Sequence, residues 1–341
     1  MRKCVMAACA VLVAFGGSWA LAQTADPFFK GRTINVYIGF GSGGSYDFYG
    51  HLVARYIGRH IPGNPTVVAE SMPGAGSFKL ANWLTSVAPK DGTAFGIVSQ
   101  TIALEEAMGS EGVKYEASQF NWIGRATSAV EVMMTWHTSQ ARTIRDAMER
   151  EVLIGGTGPG SPSQGYPTLL DAAAGTKFRI IAGYPGSAEV LLAMEKGEVD
   201  AAFTSWGSIR AYHQDWLAQK SVNFLVQGTV ARSPELPDVP AVGELGNTPD
   251  DRAMLQLYAS TAEIGRSFIA PPGLPADRVA ILRAAFDDTM KDPEFLAEVA
   301  DAKAEFDPLP GADLQKMIEK TAQTPPTVIA RMKQLMQAGA K

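Results

Sequence analysis

Cysteine and histidine are scarce: two and four, respectively, in 341 residues. No two of them stand at a metal-ligand spacing, so no metal centre is expected. Basic charge is in deficit as well, with 30 Lys plus Arg against 35 Asp plus Glu and a net charge of −5. No basic run could neutralise a phosphate backbone, which removes nucleic acid from the expected partners. Long apolar runs are missing beyond the first twenty or so residues. What remains is 46% hydrophobic and 19% charged, enough apolar material for two domains or one large one.

The one apolar stretch comes first. Arg2 and Lys3 precede Val5 to Phe15, and Ala20-Leu21-Ala22 supplies small residues for cleavage before Gln23. Gly16, Gly17 and Ser18 break the run well short of the roughly 20 residues that span a bilayer, so the expectation is a signal peptide over 1–22 rather than an anchor. Cys4 and Cys9 lie inside it. The exported chain is then free of thiols, held by its core without disulfides, and away from any steady supply of ATP or NAD.

The exported part shows strand, glycine loop and helix in repetition. Thr33 to Phe40 is β-branched and aromatic and is followed by Gly41-Ser42-Gly43-Gly44-Ser45. Tyr46 to His60 then has helical spacing. Thr66 to Ala69, Gly74-Ala75-Gly76-Ser77 and Phe78 to Val87 repeat the unit, and Ala94 to Val98 is a third strand. Trp122 to Trp136 is β-rich, is punctuated near Ser128, and could carry the chain out of a first lobe. A second series follows: Val152 to Ile154, a loop from Gly155 to Ser161, Gln164 to Ala174, Phe178 to Ile181, a loop from Gly183 to Ser187, and Ala188 to Lys196. Ala201 to Thr204 and Val222 to Val226 add strands. Leu236-Pro237-Asp238-Val239-Pro240 suits no regular element. Val279, Leu282, Phe286 and Met290 share a helical face, and a last helix is expected over 327–337. This α/β pattern predicts two mainly parallel sheets flanked by helices, with a cleft between them. Helices beyond the second series are expected to return to the first lobe, giving lobe 1 as 23–126 and 231–341 and lobe 2 as 127–230.

The chemistry lies in the loops. Each strand-to-helix loop offers unpaired N–H groups at the positive end of a helix, and glycine lets an anion approach the backbone. Four such loops, two from each half, surround Gly43-Gly44, Gly74-Ala75-Gly76, Gly158-Pro159-Gly160-Ser161 and Tyr184-Pro185-Gly186-Ser187. Turn formation alone accounts for any single one. Ser45, Ser77, Ser163 and Ser187 read as helix caps or as ligand donors, and Asp47 as a helix-terminal charge. Phe40, Tyr46, Tyr184 and Trp206 are candidates for an apolar floor or for ordinary packing. Arg125, Arg210 and Arg266 suit a carboxylate in principle but are not assigned to the site.

Other chemistries are weaker. Gly39-Phe40-Gly41-Ser42-Gly43-Gly44 formally satisfies the dinucleotide fingerprint, with Glu70 near the position of a ribose-binding acid, yet export removes that cofactor. Ser161-Pro162-Ser163-Gln164-Gly165 misses the nucleophile elbow at its first position. His51, His60, His137 and His213 offer no readable base. No catalytic residue, metal or cofactor is expected.

Taken together, these landmarks resemble the periplasmic receptors of tripartite tricarboxylate transporters, the Bug family, from about Asp26 to the C-terminus. Phe40-Gly41-Ser42-Gly43-Gly44-Ser45-Tyr46-Asp47 is similar to that family's first loop, with Ser42 in place of a proline. Pro73-Gly74-Ala75-Gly76-Ser77 is similar to its second, with Ser77 for a glycine. Pro89-Lys90-Asp91-Gly92-Thr93, Leu236-Pro237-Asp238-Val239-Pro240 and Ala270-Pro271-Pro272-Gly273-Leu274-Pro275 follow in the family's order. The resemblance implies a two-lobed type II binding-protein fold, with a carboxylate held by backbone amides and hydroxyls rather than by an arginine. It implies one carboxylate at Gly43, Gly44 and Ser45, and the other end of the ligand at Thr157, Gly158, Ser161, Tyr184, Gly186 and Ser187. Phe40, Gly76, Ser77, Gln100, Thr204 and Trp206 complete the candidate ligand set. Ala202-Phe203-Thr204 stands where the family often has an acid for an amino group, which argues against an amino-acid ligand, while Trp206 leaves an aromatic acid open beside a di- or tricarboxylate. The implied partners are a small organic carboxylate and the permease subunits of a transporter, with the receptor a periplasmic monomer. An exported enzyme on the same scaffold and a ligand sensor for a kinase are the alternatives.

Overall fold

A computed structural model of the chain describes residues 28–339. The expected signal peptide and both cysteines lie outside the described residues. Among the described residues eleven strands form two sheets. The first holds β1 (Thr33–Ile38), β2 (Thr66–Ser71), β3 (Ala94–Val98), β4 (Asn121–Arg125), β10 (Ser267–Ala270) and β11 (Leu309–Pro310), in the order β11-β4-β10-β3-β1-β2. The second holds β5 (Glu131–Trp136), β6 (Val152–Gly156), β7 (Phe178–Ala182), β8 (Ala201–Ser205) and β9 (Val222–Gln227), in the order β7-β6-β8-β5-β9.

Both sheets are mixed. β1 pairs in parallel with β2 and β3, setting Val36 opposite Ala69 and Phe95, but β10 enters antiparallel between β3 and β4. In the second sheet β6 pairs in parallel with β7 and β8, and β5 enters antiparallel between β8 and β9. The two reversed strands follow the two crossings between lobes: a chain arriving from the other lobe runs opposite to strands that belong to βα units. β10 escapes sequence reading because Ser267-Phe268-Ile269-Ala270 is too short to show a period.

Burial follows from helices on both faces of each sheet. Ile34, Val36 and Ile38 are buried on β1, and β3 and β8 are buried throughout. One face of the first sheet packs on the helices Ser45–Ile57 and Ala276–Thr289, through Tyr49, Leu52, Val53, Leu282 and Phe286. The other face packs on Phe78–Ser86 and Gly311–Ala322 around Trp122, whose indole N–H donates to the Ala117 carbonyl at 2.8 Å.

The C-terminal region divides between the lobes. Helices Ala276–Thr289 and Gly311–Ala322 return to the first sheet. The last helix, Pro326–Gly339, does not: Val328, Ile329, Met332, Leu335 and Met336 join the cluster of the second sheet with Leu169, Leu170 and Ala173 of the helix Pro162–Ala174. Met254, Leu255 and Tyr258 of Pro249–Ala259 join it too. The apolar stripe of Pro162–Ala174 needs a cover that its own lobe does not supply, and the chain end is long enough to reach it. At the crossings the backbones pair: Ala126 N–H donates to Arg266 O at 3.0 Å, and Arg266 N–H to Thr127 O at 2.9 Å.

One buried acid sits where the lobes meet. Glu105, on the helix Ile102–Ala107, is 3% exposed and faces Pro159, Gln164 and Thr168 of the second lobe. Burial pushes its carboxyl up to about 7, against the Ser110 hydroxyl that donates to it at 2.5 Å. A carboxyl raised in the folded state stabilises fully below its unfolded value, and the contribution is lost as pH rises through about 7. Glu105→Gln is therefore expected to be neutral at pH 4 and to stabilise by on the order of 3 kcal/mol at pH 8, at about 1.4 kcal/mol per pH unit between the folded and unfolded values. Urea denaturation at the two pH values checks this.

Candidate functional site

Three helices that start at the cleft have no capping side chain. Ser45–Ile57 begins at Gly44, Pro162–Ala174 at Ser161 and Ser187–Glu195 at Gly186, and at none of them does the preceding side chain accept from the first turn. The first-turn N–H groups of a helix have no intrahelical acceptor, so uncapped starts on helices of 13, 13 and 9 residues leave donors and positive dipole ends directed at the space in front of them. The Asp47 carboxylate serves its own loop, accepting from Gly43 N–H at 2.9 Å.

The four glycine loops meet across one cleft. Gly41 N–H donates to the Pro185 carbonyl at 2.8 Å, and the Thr101 hydroxyl to the Gly160 carbonyl at 2.6 Å, so backbone from each lobe closes on the other. A Cβ on Gly44 would come within 2.7 Å of Ser187 Oγ, and one on Gly76, whose φ is +60°, would strike the Gly160–Ser161 backbone. The first loop thus faces the fourth, and the second faces the third. Between them lies a cavity of about 40 Å³, lined by Phe40, Gly41, Gly44, Ser45, Tyr46, Glu131, Thr157, Pro162, Ser163, Ser187, Phe203, Thr204, Ser205 and Arg266. That volume holds a few waters, which marks the lobes as closed on each other.

Hydroxyls dominate the polar lining. Ser163 Oγ accepts from Thr157 N–H at 3.0 Å and lies 3.0 Å from Thr157 Oγ1 and 2.9 Å from Ser161 Oγ, a hydroxyl chain at the start of its helix. Phe40 stacks on Tyr46 at 4.4 Å and forms the apolar wall with Phe203. The floor carries charge. Arg266, 2% exposed, donates through Nε to Ser45 Oγ at 2.8 Å, through Nη1 to Gln100 Oε1 at 2.9 Å and through Nη2 to Glu131 Oε1 at 3.1 Å. Its guanidinium lies 4.3 Å from the centre of the Tyr46 ring. Burial pushes the Glu131 carboxyl up and the neighbouring guanidinium opposes it; burial also raises the Tyr46 phenol, again against Arg266.

Of the residues expected from the sequence, Phe40, Gly44, Ser45, Thr157, Ser187 and Thr204 line the cavity. Gly43 and Gly186 stand in the loops that close it. Gly158 and Tyr184 line a neighbouring recess that shares Phe40 and Thr157. The remaining five lie behind the surface. Gly76 packs against Gly160, the Ser77 hydroxyl accepts from Ser99 N–H at 2.8 Å, and the Ser161 hydroxyl donates to the Gly158 carbonyl at 2.7 Å. Gln100 is fully buried between Arg266 and Glu131. Trp206 turns into the second lobe, where its indole donates to Glu235 Oε2 at 2.6 Å and its ring meets Phe224, so the aromatic wall forms without it.

Sequence reading set Arg266 aside and passed over Glu131, although a faint signal exists. Each is a single charge at the start of an apolar strand, directly after a lobe crossing. Arg125, by contrast, is buried against Asp307 at 2.7 Å, and Arg210 pairs with Glu235 at 3.1 Å. Among the described residues no group of three or more His, Cys, Asp or Glu could hold a metal ion, and no helix is long and apolar enough to cross a membrane.

No curated protein matches this sequence. Among solved structures, the periplasmic binding protein BugD matches with a TM-score of 0.69 at 18% identity, over 91% of this chain and 98% of that one. MatC from Rhodopseudomonas palustris with bound malate matches with a TM-score of 0.68 at 18% identity, over 89% of this chain and 99% of that one. The R. palustris protein Rpa4515 with adipate matches with a TM-score of 0.66 at 19% identity, over 91% and 97%. At such identities the likeness establishes the fold, that of the two-lobed type II binding proteins. The family model described as "Tripartite tricarboxylate transporter family receptor" matches residues 58–334, well over half of the sequence. Two lobes closing uncapped helix ends on one cavity, together with that match, place the chain in the tripartite tricarboxylate transporter receptor family.

Proposed function

We propose that this protein is an exported receptor that captures a small organic carboxylate between its lobes, unchanged, and presents it to the membrane subunits of a tripartite tricarboxylate-type transporter. The observation that carries the reading is the convergence of three uncapped helix starts on one hydroxyl-lined cavity. Preformed N–H groups stabilise an anion without reorganising, and closure keeps water from competing. The carboxylate contacts we assign are the amides and hydroxyls at Gly44, Ser45 and Ser187, with Thr157, Ser163 and Thr204 on the second lobe and Phe40 against the ligand's carbon skeleton. The malate and adipate held by two similar structures, both dicarboxylates, support the class. Thr204 offers no anion to an ammonium group, and the one acid on the lining, Glu131, already faces Arg266. This disfavours amino acids.

Two measurements test this. A thermal-shift screen of the exported chain against succinate, citrate, adipate, benzoate and terephthalate is expected to give a rise of several degrees for at least one of them. Mass action supplies about 2.7 kcal/mol at a hundredfold excess over Kd. Flat melting curves across the panel would sink the reading, and recovery of a chemically altered ligand would make the protein an enzyme. In Gly44→Val the backbone φ of −100° suits valine, but the new branch crowds Ser187 Oγ and fills the anion's approach. Calorimetric titration is expected to show affinity down about a hundredfold, the worth of one to two charge-assisted hydrogen bonds, with the circular dichroism spectrum unchanged.

A further inference from the structure

Two charged side chains line the cavity, Glu131 and Arg266, and they lie 3.1 Å apart. Both are almost wholly buried, at 4% and 2% exposure. Three of the five guanidinium N–H groups are committed, to Ser45, Gln100 and Glu131, and the plane rests over Tyr46. The Gln100 amide bridges the pair, receiving from Arg266 through Oε1 and donating to Glu131 Oε2 at 3.4 Å. The arginine is thus held in place with two donors left over, and its charge is matched by a carboxylate facing the same space.

We propose that the Arg266–Glu131 pair determines ligand specificity by setting how many negative charges the site accepts. The inference rests on the carboxylate-receptor reading above. With Glu131 ionised the floor is neutral, so a ligand's charge is met by the helix ends, and a second carboxylate placed toward the floor gains from Arg266 only what Glu131 does not cancel. Removing the Glu131 charge leaves a buried guanidinium with free donors and no carboxylate in contact, Glu305 acting on it only from beyond ion-pair distance, an arrangement that binds a ligand carboxylate in two parallel bonds. The geometry also explains why this arginine does not act as an open clamp: Glu131 occupies one end of its fork.

The test compares matched ligands that differ in one carboxylate: succinate with butyrate, adipate with hexanoate, and terephthalate with 4-methylbenzoate. Affinities are measured by calorimetry on the wild-type protein, Glu131→Gln, Glu131→Ala and the double variant Glu131→Gln/Arg266→Gln, each checked by circular dichroism. The readout is the ratio of dicarboxylate to monocarboxylate affinity, which general loosening of the fold would lower for both ligands alike and leave unmoved. Either folded single variant is expected to raise the ratio about tenfold or more. The double variant is expected to return it to within about threefold of the wild-type value, since its floor is neutral again. A wild-type ratio retained in a folded single variant would overturn the assignment, as would a raised ratio persisting in the double variant. Failure of wild-type protein to bind any of the six acids would instead overturn the receptor reading itself.

Discussion

A helix that begins without a cap leaves donors that must be met from elsewhere, and this molecule is arranged around three such beginnings. The first-turn N–H groups that follow Gly44, Ser161 and Gly186 open onto short loops whose glycines bring backbone from opposite lobes into contact. Glycine at position 76 allows the second loop to lie directly on the Gly160 backbone, and glycine at 44 leaves room for Ser187. Side chains in those places would hold the lobes apart. The same donors that make the loops unstable as isolated pieces are what an anion can satisfy.

The hinge and the site share residues. The chain passes between lobes at 126–130 and again on the way to Arg266, and the two passages pair through the backbone of Ala126, Thr127 and Arg266. Glu131 begins β5 and Arg266 immediately precedes β10, so each stands directly after a passage and the charged floor sits beside the crossings. Gly41 and Thr101 of the first lobe bond to Pro185 and Gly160 of the second across the cleft, while the ion pair bridges the two sheets beside the crossings. Two further helices, Pro249–Ala259 and Pro326–Gly339, tie the C-terminal third to the second lobe and lengthen the surface along which the lobes are joined.

Legibility in the sequence follows the range of the interaction. The βα repeats were readable because period-2 and helical spacing are complete within a dozen residues, as in Ile34, Val36 and Ile38 or in Val279, Leu282, Phe286 and Met290. The glycine loops were readable for the same reason, and six of the residues expected at the ligand do line the cavity. β10 was not, since four residues between a turn and a proline carry no period. Trp206 was placed near the ligand by its nearness in sequence to Thr204, yet the strand ends between them and the indole turns toward Glu235. Ser77 and Gln100 lie beside the cavity but point their polar atoms at Ser99, Arg266 and Glu131.

The sequence by itself determined the local grammar: most of the strands, and the glycine loops ahead of helices that favour an anion. That three of those helices start without a cap was left to the structure. The fold alone decided which loop faces which, that the last helix covers the second lobe, and that an arginine and a glutamate 135 positions apart meet at the cavity floor. The physical reason is that dihedral preference and hydrogen bonding within a turn act over a few residues, whereas the burial of a charge and the choice of its partner depend on chain crossings that no short window contains.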